Sequence, residues 1–228
     1  MNHLRSTPSE GSRGNHSPLQ GSGGGAPGHP SVNLAIGGVV LASGAAARFG
    51  ENKLLQEFQG RALVARAFDC LPETLALRVV TTRWPEVAVL GEAAGLRAVL
   101  HDFPDVSDSI RLAAEAMEGL DGALFLVGDQ PLLTARSVDQ LIEAFRETPG
   151  EAVRLAFRGV PGNPILFPAS VFPLLRSLQP GETGRAALKR AGTAARLIEA
   201  AHEWELLDCD TPEALEKARR IAAREGKL

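Results

Sequence analysis

The sequence predicts an α/β domain of three layers around a mostly parallel central sheet, on three observations. From residue 33 onward, short apolar runs alternate with longer stretches whose apolar residues recur at helical spacing, the order of a chain that lays helices on both faces of a sheet. Two of the runs, IGGVVLA at 36–42 and ALFLV at 123–127, are apolar at almost every position, as strands covered on both faces are. Chemistry-bearing residues then cluster just after such runs, where the strands of an open parallel sheet end and ligands collect.

Residues 1–32 stand apart from this pattern. Gly, Ser, Pro, Asn and His dominate SEGSRGNHSPLQGSGGGAPGHPS, which has little to bury, and the composition predicts a disordered tail ahead of one folded domain over 33–228. Strands are expected at 36–42, 77–82 (LRVVTT), 97–101 (RAVLH), 123–127 and 153–157 (VRLAF), with a further apolar strand in WELLDCDTPEAL running up to Asp208 and Asp210. Ile110, Ala114 and Met117 share a helical stripe, as do Val138, Leu141, Ile142 and Phe145. Thr211 is placed to cap, and Pro212 to open, a last helix whose buried stripe is Leu215, Ala218 and Ile221.

Composition narrows the function. The chain is 44% hydrophobic and 22% charged with a net charge of -3, and it lacks the dense Lys/Arg block that binding to nucleic acid or an anionic membrane calls for. The tail has no apolar h-region and no later run is long enough for a membrane helix, so neither a secretory signal nor a membrane span is expected. Cys70 and Cys209, the two cysteines, are too few for a disulfide framework and suit a reducing cytoplasm, the expected location.

The stretch LASGAAARFGENK, 41–53, leaves the first strand. Gly44 and Gly50 permit tight turns, the alanines between them keep the loop narrow, and free backbone N–H groups there can face phosphate oxygens. Arg48 and Lys53 would neutralise charge that the amides leave unpaired, the arginine bidentately and the lysine as a point charge. Neither G-x-x-x-x-G-K-[ST] nor G-x-G-x-x-G occurs here, and the same residues also fit a plain βα turn with an exposed arginine and lysine. A second strand end adds weight: in ALFLVGDQP, Asp129 follows a buried strand, where a carboxylate can hold Mg²⁺ beside substrate phosphate or can simply cap a turn. Asp208 and Asp210 offer a helix cap and a second metal ligand. His101 and His202 read as core-edge or solvent-facing residues.

GVVLASGAAARFGENKLL, GDQP, GNPILF, GETGRAAL and LLDCDTPEAL resemble, in order, the motifs of the MobA-like nucleotidyltransferases, above all the molybdenum cofactor cytidylyltransferases, from Gly38 to Leu215. The resemblance implies a Rossmann-like nucleotidyltransferase fold that binds an NTP and Mg²⁺. It implies a nucleotide site of Leu41, Ala42, Ser43, Gly44, Arg48 and Lys53, with Ser107 and Ser109 as base-side contacts or helix caps. It implies metal ligands at Asp129 and Asp210, with Asp208 a second choice, and catalytic roles for Arg48, Lys53 and Asp129. The Gly162-Asn163-Pro164 turn and Arg185 would form the acceptor side. The reaction implied is attack by a molybdopterin phosphate on CTP, giving a cytosine dinucleotide and pyrophosphate, with a molybdenum hydroxylase as recipient of the product. Ser43 stands where cytidylyl enzymes tend to have alanine and guanylyl enzymes glycine, and Ala46 stands where serine is usual. A GTP-using transferase, a transferase acting on a sugar or alcohol phosphate, and a non-catalytic cofactor carrier therefore remain alternatives.

Overall fold

The computed structural model describes residues 33–44 and 52–226. The predicted tail over 1–32, and Arg48 with the rest of the loop tip, lie outside the described residues.

The chain opens with β1 (Ile36–Leu41) and, after a 3-10 turn at Lys53–Leu55, forms a small hairpin of β2 (Glu57–Phe58) and β3 (Arg61–Ala62) leading into α1 (Ala65–Asp69). Two βα units follow: β4 (Leu77–Thr82) with α2 (Pro85–Ala93), and β5 (Arg97–Leu100) with α3 (Val106–Ala116). The central strand β6 (Gly122–Val127) leads to α4 (Ala135–Glu147), then to the hairpin of β7 (Val153–Phe157) and β8 (Val160–Pro168). α5 (Phe172–Arg176), α6 (Gly184–Arg190), β9 (Arg196–Glu199) and α7 (Pro212–Glu225) complete the domain. Among the described residues seven strands form one sheet in the order β5-β4-β1-β6-β8-β7-β9. β1 pairs in parallel with β4 and β6, and β4 with β5, while β8 alone runs against its neighbours β6 and β7.

Alternation along the strands builds two cores, one on each face. Ile36, Val40, Val80, Leu124 and Leu126 pack with Phe68 of α1, Val87 of α2, Leu141 and Phe145 of α4, and Leu215 of α7. Val39, Val79, Ala123 and Phe125 pack with Ile110 and Ala114 of α3, Leu175 of α5 and Ala187 of α6. This is the predicted three-layer architecture, and burying each large aliphatic or aromatic side chain contributes about 1.5–3 kcal/mol. Gly37 and Gly38 let the layers close on β1: a Cβ on the first would lie 2.2 Å from Met117 Sδ, and on the second 2.6 Å from Leu75 Cδ1.

Two expectations are corrected. The stretch before Asp208 is not a strand but a 3-10 turn at Glu203–Leu206. The reason is Glu205, buried at 1% exposure, whose carboxylate accepts hydrogen bonds from the Thr134 and Ser137 hydroxyls at 2.7 and 2.5 Å and from the His202 N–H at 3.3 Å. A half-apolar strand pattern gave way to the need to pair a buried charge. Gly162-Asn163-Pro164 is likewise not a turn; it lies inside β8, with a cis peptide before Pro164. The reversal falls earlier, at Arg158 and Gly159, whose φ values of 50° and 75° suit a tight two-residue hairpin.

Candidate active site

Sheet register sets the site. Leu41, the last residue of β1, stands beside Val127, the last of β6, so the segments that leave these strands emerge side by side. The Gly128 N–H donates to Leu41 O and the Cys209 N–H to Asp129 O, at 3.0 and 2.9 Å, which draws the 208–210 segment against the end of β6. Asn52 caps the Lys53 turn through the Leu54 N–H.

Lys53 is the centre of the arrangement. Its side chain is 8% exposed, and Nζ lies 2.6 Å from Asp129 Oδ2 and 2.7 Å from Asp210 Oδ1. Burial alone would lower the ammonium pKa, but Asp129 and then Asp210 outweigh it and raise the value above 10.5. Lys53, Asp129 and Asp210 are thus brought together, and the lysine here meets carboxylates directly. Asp208 is set apart, accepting a hydrogen bond from Gln130 Nε2 at 3.0 Å. Desolvation first, and Asp129 second, push its carboxyl up to about 6 against the opposing Gln130 bond. No group of three or more His, Cys, Asp or Glu residues able to hold a metal forms among the described residues. Two carboxylates, one just after β6 and one from the 208–210 segment drawn against it, nevertheless fit what Mg²⁺ asks of a protein when substrate phosphate and water supply the rest. Cys209 is no nucleophile, its thiol pushed up to about 12 by burial and then by Asp129.

Two cavities meet here. The smaller, 280 Å³, is lined by Ser43, Gly44, Lys53, Asp105, Ser109 and Asp129 among others. The larger, 800 Å³, holds Asn163, Arg154, Arg185 and Lys189 over apolar walls. Leu41, Val106 and Val127 line both. Of the predicted nucleotide residues, Leu41, Ser43, Gly44, Lys53 and Ser109 face the smaller cavity. Ala42 is buried beneath it, its carbonyl accepting from Thr82 Oγ1 at 2.8 Å, and Ser107 is fully buried and lines neither cavity. Of the residues predicted for the acceptor side, Asn163 and Arg185 face the larger cavity, whereas Gly162 and Pro164 lie within β8 and do not line it.

Sequence reasoning passed over His101. Its Nε2 lies 2.8 Å from Ser43 Oγ and 3.1 Å from Ser109 Oγ, joining the segment after β1 to α3. Partial burial lowers its pKa, with Asp108 opposing. It also passed over Asp105, which caps α3 through the Ser107 N–H and accepts from the Gly181 N–H with both oxygens at 3.0 Å, tying the start of α3 to the segment ahead of α6. The spacing of Asp105 and Asp108 in DVSD carried a capping-box signal; nothing local marked His101.

The model of the MobA-like NTP transferase domain matches residues 38–203, and the chain belongs to that family. It is 32% identical over 201 residues to purine catabolism protein PucB of Bacillus subtilis, covering 80% of this chain and 95% of that one. It is 33% identical over 116 residues to 3-deoxy-manno-octulosonate cytidylyltransferase of Chlorobium phaeobacteroides, covering 49% of this chain and 47% of that one. Among solved structures, a homologue of Mycobacterium tuberculosis Rv0371c from Mycobacterium sp. strain JC1 superposes with a TM-score of 0.73 at 24% identity over 84% of this chain and 98% of its own. CMP:2-keto-3-deoxy-manno-octonic acid synthetase complexed with CTP gives 0.68 at 19% identity, over 84% and 99%. The manganese complex of Rv0371c from Mycobacterium tuberculosis H37Rv gives 0.65 at 21% identity, over 82% and 98%. No helix among the described residues is long and apolar enough to cross a membrane.

Proposed function

We propose that this nucleotidyltransferase moves CMP from CTP to the terminal phosphate of molybdopterin or its molybdenum form, releasing pyrophosphate. The observation that carries the reading is the pair of adjoining cavities, one bearing Lys53 and Asp129 and the other bearing three cations over apolar walls, with Leu41, Val106 and Val127 common to both. The choice of CTP draws support from the relatives whose names carry cytidylyl transfer or a CTP complex. The choice of acceptor rests on the ordered motifs.

In this reading an oxygen of the acceptor phosphate attacks the α-phosphorus, a new P–O bond forms, and the bond to the β-phosphate breaks with pyrophosphate carrying away the electron pair. The attacking group is already anionic, so the protein's work is alignment and charge neutralisation rather than proton removal. Arg48 and Lys53 bear on the triphosphate, and Ser43 and Ser109, held by His101, position the nucleoside end. Asp129 and Asp210 would hold a divalent cation, Mg²⁺ in this proposal, which when bound neutralises charge on the phosphate oxygens.

The test is pyrophosphate release from CTP, GTP, ATP and UTP with Mg²⁺, each with and without molybdopterin. Acceptor-dependent release from CTP alone supports the proposal, and preference for GTP transfers it to the guanylyl reaction. Absence of release from all four, in folded protein that still binds molybdopterin, leaves a carrier.

A further inference from the structure

The larger cavity contains a charge arrangement that its apolar walls do not explain. Arg154 enters from β7, and Arg185 and Lys189 from α6, four residues apart and so on one helical face. Cations at that spacing repel each other. Among the described residues no Asp or Glu lines the cavity, and none of the three cations makes an ion pair. Arg154 is half-buried, and its Nε–H donates to Gly162 O. That bond fixes the plane of the guanidinium and leaves its two terminal nitrogens to serve a ligand. Burial, and then the nearness of Arg185, hold the Arg154 pKa below the ordinary 12.5. A guanidinium that loses solvent beside a second cation costs free energy that only an anion recovers.

We propose that Arg154 is an acceptor-binding residue, and that with Arg185 and Lys189 it selects an acceptor bearing a phosphate monoester on an apolar, ring-sized body. The fork geometry of two guanidiniums matches the oxygens of a dianionic phosphate. Phe125, Ile165, Phe167 and Leu188 supply the walls for the body. Neutral alcohols and amines are disfavoured as acceptors, because they leave the half-buried Arg154 without an anion. The inference rests on the reading of the larger cavity as the acceptor side and adds to it a residue and a ligand class.

Calorimetry on the full chain tests it with 4-nitrophenyl phosphate and 4-nitrophenol as probes, and with Mg-CTP titrated separately. The ester should bind at least about tenfold more tightly than the phenol, and Arg154→Ala should remove most of that difference. Should loss of the Gly162 bond unfold Arg154→Ala, Arg185→Ala and Lys189→Ala on exposed positions of α6 carry the test, each expected to weaken the ester roughly three- to tenfold. Equal binding of ester and phenol by the wild type overturns the inference, as does undiminished ester binding in the folded variants. Failure of Mg-CTP to bind the wild type strikes the nucleotidyl-transfer reading instead, and the ester titration still decides the anion site.

Discussion

Lys53→Met removes the one ammonium between Asp129 and Asp210 while keeping an unbranched stem in its buried slot. Breaking a fully buried pair from one side costs about 3–5 kcal/mol, because a charge is left unpaired. The Asp129 side chain, 20% exposed, is partly screened and falls below that figure, at roughly 2–3 kcal/mol, and Asp210 is 62% exposed and screened further. An exposed partner contributes only about 0–1 kcal/mol, so the loss should come to roughly 2–4 kcal/mol. At about 2–4 °C per kcal/mol for a chain of this size, that is a fall in Tm of roughly 4–16 °C, read by differential scanning fluorimetry without divalent cation. The two carboxylates left facing each other should then bind Mn²⁺ or Mg²⁺ better than the wild type does, so added cation should raise the Tm of the variant by more than that of the wild type. Asp129→Asn in the Lys53→Met background should cost less than it does alone, a coupling of about 1–3 kcal/mol. A variant that melts within a degree of wild type, or two proteins that respond equally to cation, would refute the view that Lys53 neutralises the strand ends.

Other perturbations bear on the neighbouring parts. Glu205→Ala strands the Thr134 and Ser137 hydroxyls and should cost about 2–3 kcal/mol in urea denaturation; a loss under 0.5 kcal/mol, roughly that of a surface change, would contradict its role. His101→Ala should raise KM for the NTP about tenfold and leave kcat within about twofold, since it acts through Ser43 and Ser109, and a fall in kcat alone would argue against that route. Asp105, whose pKa is depressed by hydrogen bonds from Gly181 and then Ser107, with Arg111 assisting, stabilises only while ionised. Its contribution is present at neutral pH and lost as pH falls through its depressed folded value, so the Tm gap between wild type and Asp105→Ala should narrow as pH falls below the ordinary Asp value of 3.8. A gap unchanged by acid would show that the carboxylate charge is not what holds the Gly181 loop.

The legible parts of the sequence were those in which one local pattern had one physical solution. The runs at 36–42 and 123–127 had to be central strands because apolar side chains on both faces need cover on both faces. The strand at 160–168 was hidden, because GNPILF mixes the punctuation of a loop with the apolar run of a strand, and only pairing of Ile165 with Phe125 and of Leu166 with Leu124 decides between them. Asp129, Asp210 and Lys53 were readable one by one, but their mutual contact is not. It spans 157 residues between Lys53 and Asp210, and it follows from the Cys209 N–H reaching Asp129 O rather than from any spacing. His101 was dismissed for the same reason, since its partners Ser43 and Ser109 lie on different elements.

These long-range contacts suggest why one lysine serves at this position. Three carboxylates near the C-terminal end of the central strand β6, with Asp208 already shifted up to about 6, would repel one another without an internal cation. A lysine supplies that charge as a movable point on a flexible stem, whereas a guanidinium would hold the carboxylates in a rigid fork. With a divalent cation held by Asp129 and Asp210, as proposed, the Lys53 ammonium would be released from them and would remain beside the smaller cavity, which it already lines. Lys53→Arg separates this exchange from simple neutralisation: it should keep most of the wild-type Tm yet show a smaller rise with Mn²⁺, because the fork gives up its carboxylates less readily. Equal cation response in Lys53→Arg and wild type would leave the charge of residue 53, and not its mobility, as the property that matters.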